Sequence, residues 1–363
     1  MFYNLVYKLF SLDYSYLNIF KYVTFRSICA FLVSFLITLF IGNNFIHFLK
    51  EHQKKGQPIR EDGPESHLKT KKGTPTMGGV LIILATIFSS LLFADLTNIY
   101  VWLCIIVFIG FGLIGAIDDY KKIKKYDYHG IAGKKKFLFQ SIVGIICCFV
   151  YIRFCYFNGI TSVFFPVFKN CYIDLGYFFI IWGLFIMVGS SNAVNLTDGL
   201  DGLAMGPVII SSICLAIASY LVGNTIFSDY LHIQYVPGIS EICVFLGGLI
   251  GAGFGFMWFN APPAKVFMGD TGSVAIGGVL GFISLISKQE FIYALVGGIF
   301  VLETLSVIIQ VFYFKLTGKR IFLMAPIHHH FEKKGWSEST VVFRFWIISM
   351  ILGILGLSLL KIR

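Results

Sequence analysis

Residues 100–117 read Tyr-Val-Trp-Leu-Cys-Ile-Ile-Val-Phe-Ile-Gly-Phe-Gly-Leu-Ile-Gly-Ala-Ile, a run without a single charge, and Asp118-Asp119-Tyr120-Lys121-Lys122 follows at once. A run of this kind approaches the roughly 20 residues that a helix needs to cross hydrocarbon. Two carboxylates where a span meets basic water are costly enough to be kept for an ion, a substrate or a partner. The competing reading is a solvated helix end whose acids only carry interfacial charge. Four other polar clusters bear on the choice.

Hydrophobic residues make up 57% of the 363, charged residues 13%, and the mean hydropathy is +0.80. No soluble core hides that much apolar surface. The expected fold is therefore an all-α integral membrane protein, a single polytopic domain over 1–363, with about ten spans. They are predicted near 23–43, 77–94, 100–117, 137–157, 174–194, 203–223, 240–259, 271–287, 291–314 and 341–360. Gly247, Gly248, Gly251, Gly253 and Gly255 lie inside the seventh. Small residues at such spacing let helices approach closely, so they read as packing rather than chemistry.

Residues 1–22 are aromatic, contain Asp13, and lack the pattern of a cleavable leader, so the first span is expected to be retained. The eight cysteines fall mostly in spans, form no C-x-x-C pair and read as small buried hydrophobes. Cys155 and Cys171 flank one outer loop at a spacing that permits, without compelling, a bridge.

Ten spans place five loops, near 44–76, 118–136, 195–202, 260–270 and 315–340, on one side. They hold seven, seven, none, one and six Lys or Arg, counting Arg344 at the start of the last span, which is 21 of 29. The positive-inside rule puts these loops in the cytoplasm and both termini in the periplasm. The net charge of +10 then belongs to the cytoplasmic face, where it suits anionic lipid heads or phosphates. Lysines that merely set topology account for much of this, but not for the polar clusters between them.

Lys71-Lys72-Gly73-Thr74-Pro75-Thr76-Met77-Gly78-Gly79 offers glycine-exposed amides beside a base and two hydroxyls, a turn able to hold phosphate. Gly and Pro also simply punctuate loops. The second loop carries the acid pair, Lys122 and Gly133-Lys134-Lys135-Lys136. In the third, Asn192, Asn195, Asp198 and Asp201 recur every three residues. A straight helix cannot aim all four at one point, since each step advances about 300°. A turn at Gly199 and Gly202 would gather the acids around one polar ligand; simple helix termination is the alternative.

The fourth cluster runs from Asn260 through Pro262-Pro263 to Phe267-Met268-Gly269-Asp270-Thr271-Gly272-Ser273. Its oxygen-rich, sulfur-free character makes Asp270 a candidate ligand for Mg²⁺ or Mn²⁺. The fifth is Pro326-Ile327-His328-His329-His330-Phe331-Glu332. Three consecutive side chains point in different directions and no cysteine ligand stands nearby, so phosphate or sugar contact is a better reading than zinc.

The acid pair after a span, N-L-T-D-G-L-D-G, F-M-G-D-T-G-S and P-I-H-H-H-F-E, in this order, resemble the phospho-N-acetylmuramoyl-pentapeptide transferases of the polyprenyl-phosphate N-acetylhexosamine-1-phosphate transferase superfamily. The likeness runs from Lys71 to Glu332, and G-T-P-T-M-G-G with the histidine run is specific to the muramoyl branch. It implies a Mg²⁺-dependent enzyme of the bacterial inner membrane. UDP-MurNAc-pentapeptide and undecaprenyl phosphate would yield lipid I and UMP on the cytoplasmic face.

The resemblance implies Asp118, Asp119, Asp270 and His328 as catalytic, with Asp270 the metal ligand. It implies Asn195, Asp198, Asp201 and Phe267 on the uridine side, and Lys71, Thr76, Lys122, His329 and His330 on phosphates and sugar. Lys136, Asn192 and Asn260 complete the substrate-binding set. Membrane lipid is an expected partner and nucleic acid is not; a homodimer is compatible with the resemblance. A related UDP-GlcNAc transferase is the nearest alternative. An ion transporter is the rival class, but conduction needs polar residues through the membrane depth, whereas these crowd onto one face.

Overall fold

The computed structural model describes residues 1–4, 15–53, 56–57, 71, 73–126, 130–166, 168 and 171–362. Long apolar runs without Pro become helices because in hydrocarbon every backbone polar group must be paired within its own segment. These are α1 (Val23–His52), α2 (Gly79–Phe93), α3 (Ile99–Lys125), α4 (Gly133–Phe154), α5 (Phe179–Thr197), α6 (Met205–Val222), α7 (Thr225–Leu231), α8 (Ile242–Asn260), α9 (Gly269–Ile286), α10 (Glu290–Val296), α11 (Gly298–Thr317), α12 (Ile327–Lys333) and α13 (Glu338–Ser358). A two-stranded antiparallel hairpin, β1 (Ser162–Phe164) and β2 (Tyr172–Asp174), pairs Val163 with Ile173.

Among the described residues nine helices are long and apolar enough to cross a membrane, so the chain is a multi-pass, all-α integral membrane protein. The second expected span, 77–94, is α2, which has only 15 residues, or about 22 Å of rise. The start of the helix pairs with another loop: Gly78 and Gly79 donate to the carbonyls of Phe267 and Met268 at 2.9 Å, and Phe267 donates to Pro75 at 2.9 Å. Non-helical backbone at such depth is tolerated where protein surrounds it.

The expected continuous span 291–314 is corrected to two helices, α10 and α11, that meet at Gly297-Gly298. Hydropathy alone reads through a Gly pair; the backbone, with no β-carbon to hinder it, redirects there. The eighth span begins two residues earlier than expected, which brings Asp270 into the first turn of α9.

Helix α9 is the axis of the bundle, 94% of its spanning window being buried, and α3 and α5 pack along it. Helices α1, α4, α11 and α13 are peripheral, with 22–33% of their windows buried. The glycine stripe of α8 is a contact face: β-carbons at Gly247 and Gly251 would fall 2.4 and 2.1 Å from the carbonyl oxygens of Ser27 and Phe31 on α1.

Described residues of all five motif loops meet at one end of the bundle, Lys71 with Asp201 and Glu338, Lys122 and Lys136 with Asp270, and His328 against Gly199. At the other end, Arg26 forms a buried bidentate pair with Glu241 and donates to the Phe93 carbonyl at 3.1 Å. Met1 and Lys361 lie there too, Met1 bonding to the Leu92 carbonyl at 3.2 Å and Lys361 to that of Tyr230 at 3.4 Å. All eight cysteines are free, Cys155 buried and Cys171 exposed.

Candidate active site

Asp118 and Asp119 end the buried face of α3 and are 3% and 1% exposed. One turn earlier, Gly115 admits the start of α9, since a β-carbon there would sit 2.1 Å from the Asp270 carbonyl oxygen. Asp119 uses that closeness: Oδ1 accepts the Asp270 amide at 3.1 Å, and Oδ2 accepts the Thr271 amide at 2.9 Å and the Thr271 hydroxyl at 2.7 Å. It therefore caps the N-terminus of α9, where unpaired amides and the helix dipole favour a negative charge. Gly269, at φ 74°, precedes this turn; a β-carbon would meet Thr76 Oγ1 at 2.5 Å and Asp119 Oδ2 at 2.6 Å.

Asp270 itself is surrounded by donors. Oδ1 accepts from Asn195 Nδ2 at 2.9 Å, while Oδ2 faces Lys136 Nζ at 2.8 Å and Lys122 Nζ at 3.1 Å. Lys122 also pairs with Asp118 Oδ2 at 2.6 Å, and Asp118 Oδ1 accepts the Ile131 amide. The two acids of the pair thus divide: Asp119 anchors α9, and Asp118 joins Asp270 across an ammonium group.

The third motif is split by the end of α5 at Thr197. Asn195 reaches Asp270 and Ser273 Oγ, but Asn192 turns to Gln140 at 3.2 Å and to the Val188 carbonyl. Burial, with Asp270 and Asp119 nearby, pushes the Asp198 carboxyl up to about 8. The helix ends at Thr197 and the chain leaves its axis at Asp198, so Asp201, beyond that end, points elsewhere. Its Oδ1 lies 3.0 Å from Lys71 Nζ and its Oδ2 accepts the Ala264 amide at 2.9 Å. Lys71 also pairs with Glu338 at 2.6 Å, and Glu338 accepts the Asp201 amide at 2.8 Å. Asn260 bridges the Gly202 amide and the Val266 carbonyl. These contacts lash four motif loops together.

Thr76 is held through its backbone by the Gln53 amide at 2.9 and 3.0 Å, while its buried hydroxyl has no hydrogen-bond partner among the described residues. Phe267 is half-buried. The histidines diverge: fully buried His328 faces Glu303 through Nδ1 at 3.1 Å, His329 Nδ1 lies 2.6 Å from Glu332, and His330 Nδ1 accepts the Leu323 amide at 3.1 Å. Burial and Lys334 lower the His330 pKa.

Among the described residues, no three Asp, Glu, His or Cys side chains stand close enough to hold a metal unaided. Mg²⁺ needs less, since it is commonly bound by one or two carboxylates plus substrate phosphates. Asp270 and Asp118, both oxygen donors on one ammonium group, fit that requirement.

Residues 101–288 match the model of glycosyl transferase family 4, and residues 71–83 match signature 1 of phospho-N-acetylmuramoyl-pentapeptide-transferase. A protein of that name from Pelagibacter ubique is 55% identical over 363 residues, all of both chains. The proteins of that name from Rickettsia felis and Rickettsia prowazekii are each 55% identical, covering 95% of this chain and 96% of theirs. The chain belongs to the phospho-N-acetylmuramoyl-pentapeptide transferase family. For a transferase of this family, four further residues emerge only from the structure, Gln53, Gln140, Glu303 and Glu338, while Thr271 and Ser273, which stand in the fourth motif, gain their partners there. Of these, Gln140 and Glu303 were open to detection as lone polar groups inside apolar runs, where such groups are rarely idle.

Proposed function

We propose that the chain transfers phospho-MurNAc-pentapeptide from UDP-MurNAc-pentapeptide to undecaprenyl phosphate, forming lipid I and UMP, at the Asp270 cluster and with Mg²⁺ as cofactor. The supporting observation is the pair of ammonium groups, Lys122 and Lys136, on one Asp270 oxygen at 3.1 and 2.8 Å. Phosphate oxygens of donor and acceptor replace carboxylate oxygens as partners of these lysines at little cost, because both are charged acceptors. Asp270, with Asp118 beside it, would hold Mg²⁺, which when bound would offset the negative charge that builds on the departing UMP.

The chain's own groups do the rest. Asp118, bound to Lys122 and the Ile131 amide, is fixed negative charge more than a proton acceptor. The acceptor phosphate monoester, with a second pKa of about 6, is mostly a dianion at neutral pH and needs little help from a base. The unpartnered Thr76 hydroxyl is available to a phosphate or sugar oxygen, and half-buried Phe267 offers its ring to the uracil. His329 and His330 face phosphate or sugar. His328, packed on Glu303, acts by holding its loop.

The site faces the cytoplasm of the inner membrane and both termini face the periplasm, a reading supported by the 21 of 29 bases in the motif loops and, for Arg344, just beyond them. In a cysteine-free background, an impermeant reagent on intact cells then labels a cysteine at position 230 and spares one at 134. The reverse pattern inverts the topology. The activity is tested by UMP release from purified protein with undecaprenyl phosphate. UDP-MurNAc-pentapeptide supports it and UDP-GlcNAc does not; release from UDP-GlcNAc alone would make the chain a related hexosamine-phosphate transferase.

A further inference from the structure

Helix α4 delivers Lys136 to the site although it is a peripheral helix, 28% buried, whose closest neighbours are α3 and α5. Its other lysines near the site, Lys134 and Lys135, are exposed. Something must fix the rotation of α4 about its axis, because about 100° separates successive residues and a small rotation moves a long side chain off its target.

From residue 132 to 143 three positions on this helix and its cap are both polar and turned inward: Lys136, Gln140 one turn later, which is fully buried, and Ser141, whose buried hydroxyl has no hydrogen-bond partner among the described residues, so that beyond Lys136 it is Gln140 that ties the helix to its neighbours by hydrogen bonds. Gln140 Nε2 donates to Ser191 Oγ at 3.0 Å, and its Oε1 accepts from Asn192 Nδ2 at 3.2 Å. Ser191 Oγ in turn donates to the Val274 carbonyl at 2.9 Å. Val274 lies one turn along α9 from Asp270, whose Oδ2 takes Lys136.

The contacts close a ring: Lys136 to Asp270, along α9 to Val274, across Ser191 to Gln140, and back along α4 to Lys136. A second rung runs from Gln140 through Asn192 to Asn195, which holds the other oxygen of Asp270. Both ends of the Gln140 amide are satisfied in a low-dielectric interior, where such a network rigidifies its surroundings.

We propose that Gln140 is a positioning residue for the transfer reaction: by tying α4 to Ser191 and Asn192 it sets the helix rotation that places the Lys136 ammonium on Asp270 and, with substrate bound, on phosphate. The role in transfer rests on the reading of Lys136 as a phosphate-binding residue; the positioning itself does not.

Two readouts separate these. In the first, the relative acylation rates of Lys136 and Lys134 by a limiting amine-reactive reagent are compared by mass spectrometry in Gln140→Leu and the parent protein. Freed from its fixed partner, Lys136 is expected to react at least fivefold faster relative to Lys134; an unchanged ratio overturns the positioning role. Ser191→Ala breaks the same ring with almost no change in volume and is expected to shift the ratio in the same direction, which covers poor folding of Gln140→Leu.

The second readout is a double-mutant cycle on UMP release. Gln140→Leu is expected to lower kcat about tenfold or more at little change in donor KM. In a Lys136→Ala background the same change is expected to cost less than twofold, since residues acting through one group are non-additive. Equal fold-losses in both backgrounds overturn the proposal. A shifted labelling ratio with unchanged kcat leaves the positioning standing and refutes the phosphate-binding reading of Lys136.

Discussion

Asp119 is bonded to the helix that carries Asp270: its Oδ1 accepts the Asp270 amide at 3.1 Å, and its Oδ2 takes two donors of Thr271. An acid at the end of one span thus fixes the first turn of another. Asp119→Ala should lower the unfolding free energy by about 1–2 kcal/mol, the size of a lost cap, and slow transfer because Asp270 loses its anchor. Asp119→Asn, which keeps one acceptor, should fall between. Thermal denaturation in detergent checks this, and an Asp119→Ala protein as stable as the parent contradicts the cap.

Asp198 carries a pH signature. Burial and its acidic neighbours raise its folded pKa to about 8, so the folded state holds the proton longer than the unfolded chain does. Stability contributed by that proton is present at low pH and is lost as pH rises toward and through 8. The metal-free, substrate-free protein should therefore lose Tm between pH 5 and pH 8.5. Asp198→Asn should lose less, its advantage over the parent being largest at pH 8.5. Parallel Tm curves for the two proteins contradict the shifted carboxyl.

Glu303 and His328 are both fully buried and face one another at 3.1 Å. Removing one of the two leaves the other polar group buried with no group facing it, which typically costs about 1–3 kcal/mol. Glu303→Leu and His328→Leu should each destabilise the protein strongly, and the double variant should be well short of their sum. Additive losses in thermal denaturation would dissolve the pairing.

The helices were legible because hydrocarbon forces contiguous apolar runs, and the shared end of the motif loops because lysines and acids alternate with those runs. Two errors have one cause. Hydropathy ignores backbone direction, so it passes through Gly297-Gly298, where the chain leaves α10 for α11, and it credits to α2 Gly78, which lies outside the helix and pairs with Phe267. Partner choice was beyond reach for a different reason. The regular spacing of Asn192, Asn195, Asp198 and Asp201 says nothing of the helix end at Thr197, beyond which Asp201 meets Lys71 and Ala264. Glu338, which completes that cluster, stands in no motif, and its partners come from loops distant in sequence.

UMP release from UDP-MurNAc-pentapeptide by Asp270→Asn, beside the parent protein with Mg²⁺ and with excess EDTA, bears most directly on the site. The account predicts turnover below about one hundredth of the parent for Asp270→Asn at unaltered thermal stability, a loss of roughly 3 kcal/mol or more in transition-state stabilisation. It also predicts loss of parent activity in EDTA and recovery when Mg²⁺ is returned. A stable Asp270→Asn protein that releases UMP at the parent rate, or a parent enzyme indifferent to EDTA, would contradict it.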